Sequence, residues 1–226
     1  MAKDSTGRLH VTVRTGGKRK LSSKLWLERQ LNDPYVAKAR REGYRSRAAF
    51  KLIEIDDKYR LLKPGLTVVD LGAAPGGWSQ IAARRVAAAE GKGRVVAIDL
   101  LEMGEIPGVQ FAQLDFHADD APGRLRAMLG GRADVVLSDM AANTTGHRKT
   151  DQLRIVGLVE IAAAFASEVL NPGGAFLAKV FQSGADADLL ARFKRDFATV
   201  RHVKPASSRQ DSSERYVLAT GFRGRK

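Results

Sequence analysis

The stretch Leu66-Thr67-Val68-Val69-Asp70-Leu71-Gly72-Ala73-Ala74-Pro75-Gly76-Gly77-Trp78 decides the fold. A short β-branched run, Leu66 to Asp70, enters a glycine-rich turn, and Gln80 to Ala89 reads as a helix. Strand, glycine turn and helix together make a nucleotide-binding turn. Glycine lets the backbone pass close to a ligand, and a helix N-terminus favours negative groups. A dinucleotide turn has the spacing G-x-G-x-x-G. Here it is G-x-x-x-G-G with Pro75 inside it, which does not match the pyrophosphate turn.

Outward from that turn the chain alternates. Arg94–Asp99 is a second apolar strand ending in an acid, Val109–Leu114 a third followed by Asp115, and Asp134–Asp139 a fourth closed by an acid. A helix is expected from Asp151 to Leu170, with apolar residues at 155, 159, 162, 166 and 169, stopping at Asn171-Pro172-Gly173-Gly174. Ala175–Phe181 is a strand, Asp186–Phe197 a helix and Arg215–Thr220 a closing strand. Upstream, Pro34–Arg41 reads as a short helix closed by Gly43, and a second helix starts at Ser46 as N-cap and runs to about Leu62 before Pro64-Gly65. Such repetition argues for an α/β fold with a largely parallel sheet, whose ligand sits at the carboxyl ends of the strands.

Those ends carry Asp70, Asp99, Asp115, Asp139 and Lys179. Each acid alone reads as a strand-end cap; successive strands each ending in one do not. The loop Gly72, Pro75, Gly76, Gly77, Trp78 suits the amino-acid end of S-adenosylmethionine. Asp99, 27 residues past Gly72, is placed to accept from both ribose hydroxyls. Asp115 is placed for the adenine amino group, with Phe116 beside it. Lys179 lies inside an apolar strand, where an unpaired lysine is costly, and is read as functional.

Composition sets the outer limits. The 226 residues allow one good-sized domain, read as a basic arm (1–24) and a single domain (25–226) made of a helical RNA-binding part (25–63) and a core (64–226). Cysteine is absent, which excludes disulfides, thiolate zinc sites and base-carbon methylation through a cysteine adduct. His10, His117, His147 and His202 are scattered, so no metal site is expected. No apolar run spans a bilayer and the N-terminus lacks the apolar core of a secretion signal, so a cytoplasmic protein is expected. The net charge of +13 sits at the ends: +10 over residues 1–51, −4 over 52–189 and +7 over 190–226. Termini of that kind grip a polyanion, and Arg45, Arg47, Lys204 and Arg209 are expected near a bound RNA. Asn32-Asp33-Pro34-Tyr35 imitates a signature of base-nitrogen methylases, but it has one proline and no preceding strand. It reads as a turn with Asp33 capping a helix.

The motifs Ser46-Arg47-Ala48-Ala49-Phe50-Lys51-Leu52, Val69 through Gln80, Leu137-Ser138-Asp139-Met140 and Ala178-Lys179-Val180-Phe181-Gln182 resemble the FtsJ/RrmJ family of ribosomal RNA 2′-O-ribose methyltransferases. The resemblance runs from about Trp26 to Gly221. It implies a Rossmann-like sheet, mostly parallel with a final antiparallel strand, helices on both faces, S-adenosylmethionine as cofactor, and a catalytic Lys-Asp-Lys-Glu set. The matching positions are Lys51, Asp139, Lys179 and Glu214. It further implies a uridine ribose in the A-loop of large-subunit ribosomal RNA as target, within the large ribosomal subunit, and a monomer is expected. Lys179 would meet the 2′-hydroxyl. Two roles stay open for it: a base, favoured by burial and by Lys51, or a cation steadying developing alkoxide, favoured by the anions Asp139 and Glu214. One departure is visible: the family's Ala-Pro-Asn after Asp139-Met140 is Ala141-Ala142-Asn143. The alternatives are a 2′-O-methyltransferase of tRNA or another RNA, and a non-catalytic RNA-binding assembly factor on the same fold.

Overall fold

Successive side chains of a strand point to opposite faces, and here both faces are buried. Val69, Leu71, Val96, Ile98, Val136, Phe176 and Ala178 belong to one apolar cluster, which includes Leu125, Ile155, Leu189 and Phe193. Val68, Val95, Ala97, Val135, Leu137, Leu177 and Leu218 belong to the other, which includes Leu52, Ile55, Ile81 and Val86. The sheet is therefore sandwiched between helices on both sides, as the near-continuous apolar runs require.

The structure, a computed structural model, describes residues 11–13, 21–141, 148–181 and 187–224. In chain order its elements are α1 (Leu21–Leu31), α2 (Pro34–Arg41), α3 (Ala48–Tyr59), β1 (Thr67–Leu71), α4 (Gly77–Val86), β2 (Arg94–Asp99) and β3 (Val109–Gln113). There follow α5 (Ala121–Leu129), β4 (Ala133–Ser138), α6 (Arg148–Val169), β5 (Leu170–Phe181), α7 (Ala187–Asp196), β6 (Phe197–Val203) and β7 (Glu214–Phe222). The strand order is β3-β2-β1-β4-β5-β7-β6. The first five strands are parallel, and β7 runs antiparallel to both neighbours. The order reverses between β1 and β4, which opens a crevice at their carboxyl ends.

The α/β reading and the single antiparallel strand stand, with local corrections. Helix α1 begins inside the stretch read as an arm, and Val11 exchanges hydrogen bonds with the Asn32 side chain (2.9 Å each way). Helix α3 starts behind Arg47, not at a Ser46 cap, because the Ser46 hydroxyl lies against Gly77. It ends at left-handed Arg60, short of Leu62, whose N–H donates to Asp56 Oδ1 (2.8 Å). Helix α4 starts at Gly77, three residues before the expected Gln80, since Gly76 takes a left-handed N-cap conformation (φ 109°). Helix α5 and edge strand β6 were not expected. Residues 1–10 and 14–20 of the arm, the Ala142 departure, His147 and Gln182 lie outside the described residues.

Leu177 is completely buried on β5, paired with Leu137 of β4 and Leu218 of β7. Leu177→Ala should cost about 2–5 kcal/mol of stability. Urea titration should show a lower midpoint at an unchanged m-value.

Candidate active site

One face of the sheet builds the site. Leu137, Leu177, Tyr216 and Leu218 share the cluster that includes α3 and α4 residues. Lys179 lies two residues beyond Leu177 on β5, and Glu214 two before Tyr216 on β7, so the two-residue strand period turns them to the same side. The register fixes the match: Lys179 pairs with Tyr216, and Phe181 with Glu214. Helix α3 packs Leu52 and Ile55 on this face, which brings in Lys51.

Four expected residues form two ion pairs. Lys179 Nζ donates to Asp139 Oδ1 (2.9 Å) and to the Asp139 backbone carbonyl (2.7 Å). Lys51 Nζ lies 2.6 Å from Glu214 Oε1, which also accepts from Ser208 Oγ at 3.2 Å. Tyr216 bridges the pairs. Its hydroxyl donates to Asp139 Oδ1 (3.0 Å), Lys51 Nζ lies 5.8 Å from its ring centroid, and the Trp78 ring lies against it at 5.5 Å. Burial pushes the Asp139 carboxyl up, but Lys179, Lys51 and the bonds from Lys179 and Tyr216 outweigh it and hold the group below the ordinary carboxylate value. Burial, then the anions Asp139 and Glu214, push the Tyr216 phenol well above its ordinary value, so it stays a donor.

The sequence pattern marks Tyr216 only as part of the closing strand. The signal that could have found it is its spacing of two from Glu214 on one strand face.

The candidate cofactor residues gather at the ends of β1, β2 and β3. Gly72 is left-handed (φ 77°), and a Cβ there would stand 2.9 Å from Met140 Cα. The Ala74–Pro75 peptide is cis. Asp99 Oδ2 accepts from Ala74 N (2.9 Å) and Oδ1 from Leu101 N (2.8 Å). Asp115 is exposed beside it and accepts from His117 N (2.9 Å). Two aromatic residues of the expected cofactor set are buried. The Phe116 ring is buried edge-on against Phe165 (5.6 Å), because the residue after Asp115 faces the core. Trp78 is buried under the loop, its indole donating to Ala48 O (2.9 Å).

The four basic residues expected at RNA each have protein partners. Arg45 reaches the backbone carbonyls of Pro75, Gly104 and Glu105. Arg47 and Arg209 converge on Asp33 Oδ2, at 3.2 and 2.9 Å, while Asp33 Oδ1 caps α2 at Tyr35 N. Arg47 also donates to Ser207 O. Lys204 donates to Gln210 O and Ser212 O (3.3 and 3.0 Å). Among the described residues no acidic, histidine or cysteine cluster could hold a metal, and no helix is long and apolar enough to cross a membrane.

A family model described as FtsJ-like methyltransferase matches residues 44–222. The chain belongs to the FtsJ-like methyltransferase family. This family member is 84% identical over 224 residues to the ribosomal RNA large subunit methyltransferase E of Bradyrhizobium sp. strain ORS 278, across 99% of this chain and 97% of that one. It is 78% identical to the protein of the same name from Rhodopseudomonas palustris strain TIE-1, across 99% and 94%. Among solved structures, a ribosomal RNA methyltransferase from Plasmodium falciparum superposes with a TM-score of 0.71 at 31% identity, covering 80% of this chain and 100% of that one. The methyltransferase fold and the family resemblance read from the motifs are thus correct.

Beneath the glycine loop of this FtsJ-like chain, Asp70 is wholly buried. Its Oδ2 accepts from Ser79 Oγ (2.6 Å), while its Oδ1 has no partner among the described residues. Burial pushes its carboxyl up from 3.8 to about 7, against the Ser79 bond and with help from Asp139 and Asp99. Between those two values the folded chain holds a proton that the unfolded chain has lost, so stability falls as pH rises through the window. The slope is at most about 1.4 kcal/mol per pH unit. Asp70→Asn keeps an acceptor for Ser79, and thermal melts across that window should lose the Asp70 share of the slope.

Proposed function

We propose that this chain transfers a methyl group from S-adenosylmethionine to the 2′-hydroxyl of a uridine ribose in the A-loop of large-subunit ribosomal RNA, with the large ribosomal subunit as its partner. The observation that carries the proposal is the convergence of Lys179–Asp139 and Lys51–Glu214 from β5, the end of β4, α3 and β7, joined through Tyr216. The relatives named as large-subunit ribosomal RNA methyltransferases, nearly identical in length to this chain, support the RNA class.

The residues around the glycine loop fit the cofactor. The buried Asp70 oxygen without a partner among the described residues suits a cationic amino group, and Gly72 and Gly76 let Met140 and the Arg45, Met103 and Ile106 side chains pack directly against the loop backbone. Gly72, Pro75, Gly76 and Gly77 would hold the amino-acid end. Asp99 would take the ribose, since each of its oxygens keeps a lone pair beyond its backbone bond. Asp115 would take the adenine amino group. S-adenosylmethionine supplies an electrophilic methyl when bound.

The chain's own part is positioning and charge. An ammonium has three donors. Lys179 commits two of them to Asp139, which leaves a third for the ribose oxygen. As the hydroxyl proton passes to water, that donor would steady the negative charge developing on oxygen, and the new carbon–oxygen bond would replace the methyl's bond to sulfur, with S-adenosylhomocysteine as the leaving group. Asp139, held ionised by its cationic neighbours, keeps the lysine aimed. Lys51, anchored on Glu214, supplies the second positive charge. Arg47, Lys204 and Arg209 rim this side and would contact phosphates; single-stranded or loop RNA fits best, because a paired ribose is hard to bring to Lys179.

Lys179→Ala should abolish transfer of labelled methyl to ribosomal RNA while S-adenosylmethionine still binds. Normal turnover by that variant, or label on a base instead of a ribose, would sink the proposal. Affinity for RNA should fall steeply between low and physiological salt, and a flat salt profile in a filter-binding assay would speak against phosphate contacts.

A further inference from the structure

The turn leading into α3 grips the glycine loop along its length. Gln80 donates to Gly43 O (3.1 Å) and accepts from Arg45 N (2.8 Å). The Trp78 indole donates to Ala48 O (2.9 Å), and a Cβ on Gly77 would fall 2.2 Å from Ser46 Oγ. The Arg45 side chain goes further. Its Nη1 donates to Pro75 O (3.4 Å) and Gly104 O (2.6 Å), and its Nη2 to Glu105 O (2.5 Å). Its Cδ would stand 3.0 Å from a Cβ on Gly76, as would Met103 Sδ, with Ile106 Cδ1 at 2.8 Å.

Three backbone segments therefore meet on one guanidinium. One is the lead-in to α3, one the glycine loop, and one the stretch after β2 that follows Asp99. Asp99 is itself bonded to Ala74 of the glycine loop, so the loop is tied to β2 from one end and to Arg45 from the other. Three of the five guanidinium N–H donors are thus spent on backbone carbonyls, which holds the group against the loop and opposes its turning outward to a phosphate. The bonds also cross sequence separations of 30 to 60 residues, so they fix tertiary spacing and not a local turn.

We infer that Arg45 is a positioning residue of the S-adenosylmethionine site, which sets the gap between the Pro75–Gly77 loop and the Gly104–Glu105 stretch, and is not the RNA phosphate contact that its Arg-Ser-Arg setting suggests. The inference rests on the proposal that this loop holds the cofactor.

Calorimetry of the full chain with S-adenosylhomocysteine tests it, beside initial rates on large ribosomal subunits. Arg45→Ala should weaken that ligand about tenfold, the size of one charged hydrogen bond. KM for S-adenosylmethionine should rise in step, while KM for the subunit stays within about twofold. Arg45→Lys, which keeps the charge but bridges fewer carbonyls, should bind the ligand with intermediate affinity and serves as the readout if the alanine variant fails to fold. Unchanged ligand affinity in both variants with a raised subunit KM and a shallower salt dependence would overturn the inference and make Arg45 a phosphate contact. If the unaltered chain itself bound no S-adenosylhomocysteine, the cofactor assignment would fall along with the inference.

Discussion

The carboxylate of Asp139 is the constraint round which the centre of the molecule is arranged. A lysine inside an apolar strand is tolerated only when it is paired and its donors are used. Asp139 meets that demand for Lys179 with both a side-chain and a backbone oxygen. Its own N–H donates to Leu71 O at the end of β1 (3.2 Å), so the anion is fixed to the sheet at the crevice. Tyr216 adds a donor to the same oxygen. A one-residue slip of β7 against β5 would turn Tyr216 and Glu214 to the opposite face, leaving Asp139 short of a donor and Lys51 without its anion. The polar contacts thus select the register that the apolar alternation favours.

The two ion pairs serve different structural ends. Lys179–Asp139 joins two neighbouring parallel strands of the sheet. Lys51–Glu214 joins a helix to the antiparallel strand. A second link of the same sort lies nearby, where Asp33 gathers Arg47 and Arg209 and Arg47 reaches Ser207 O. Ser207 N in turn donates to Glu54 of α3 (2.9 Å). The segment between β6 and β7, which carries Ser208, is held to the N-terminal helices by charge and hydrogen bonds more than by apolar packing.

Much of this was legible because burial leaves a pattern. Strand β2 was bounded correctly at both ends, since Val95 to Ile98 are all buried and Asp99 stops the run. Lys179 stood out because an apolar strand makes a lysine conspicuous. Other features left weaker traces. Strand β6 is an edge strand whose exposed residues, Arg201 and His202 among them, break the apolar run. An aromatic residue in a strand looks like core whatever its hydroxyl touches, so Tyr216 left no separate signal. Arg45 illustrates a different limit. Its residue type announces charge, while its partners are carbonyls far along the chain, which no local pattern reports.

The last strand in chain order lies in the interior of the sheet, between β5 and β6. On a translating ribosome, β6 therefore emerges before its partner β7, and β5 waits with one open edge. Lys51, made some 160 residues earlier, has no anion until Glu214 follows. A chain broken off before β7 would carry the glycine loop and its acids yet lack Glu214 and the Tyr216 hydroxyl. The charged centre is thus completed in a single late step, the insertion of one strand.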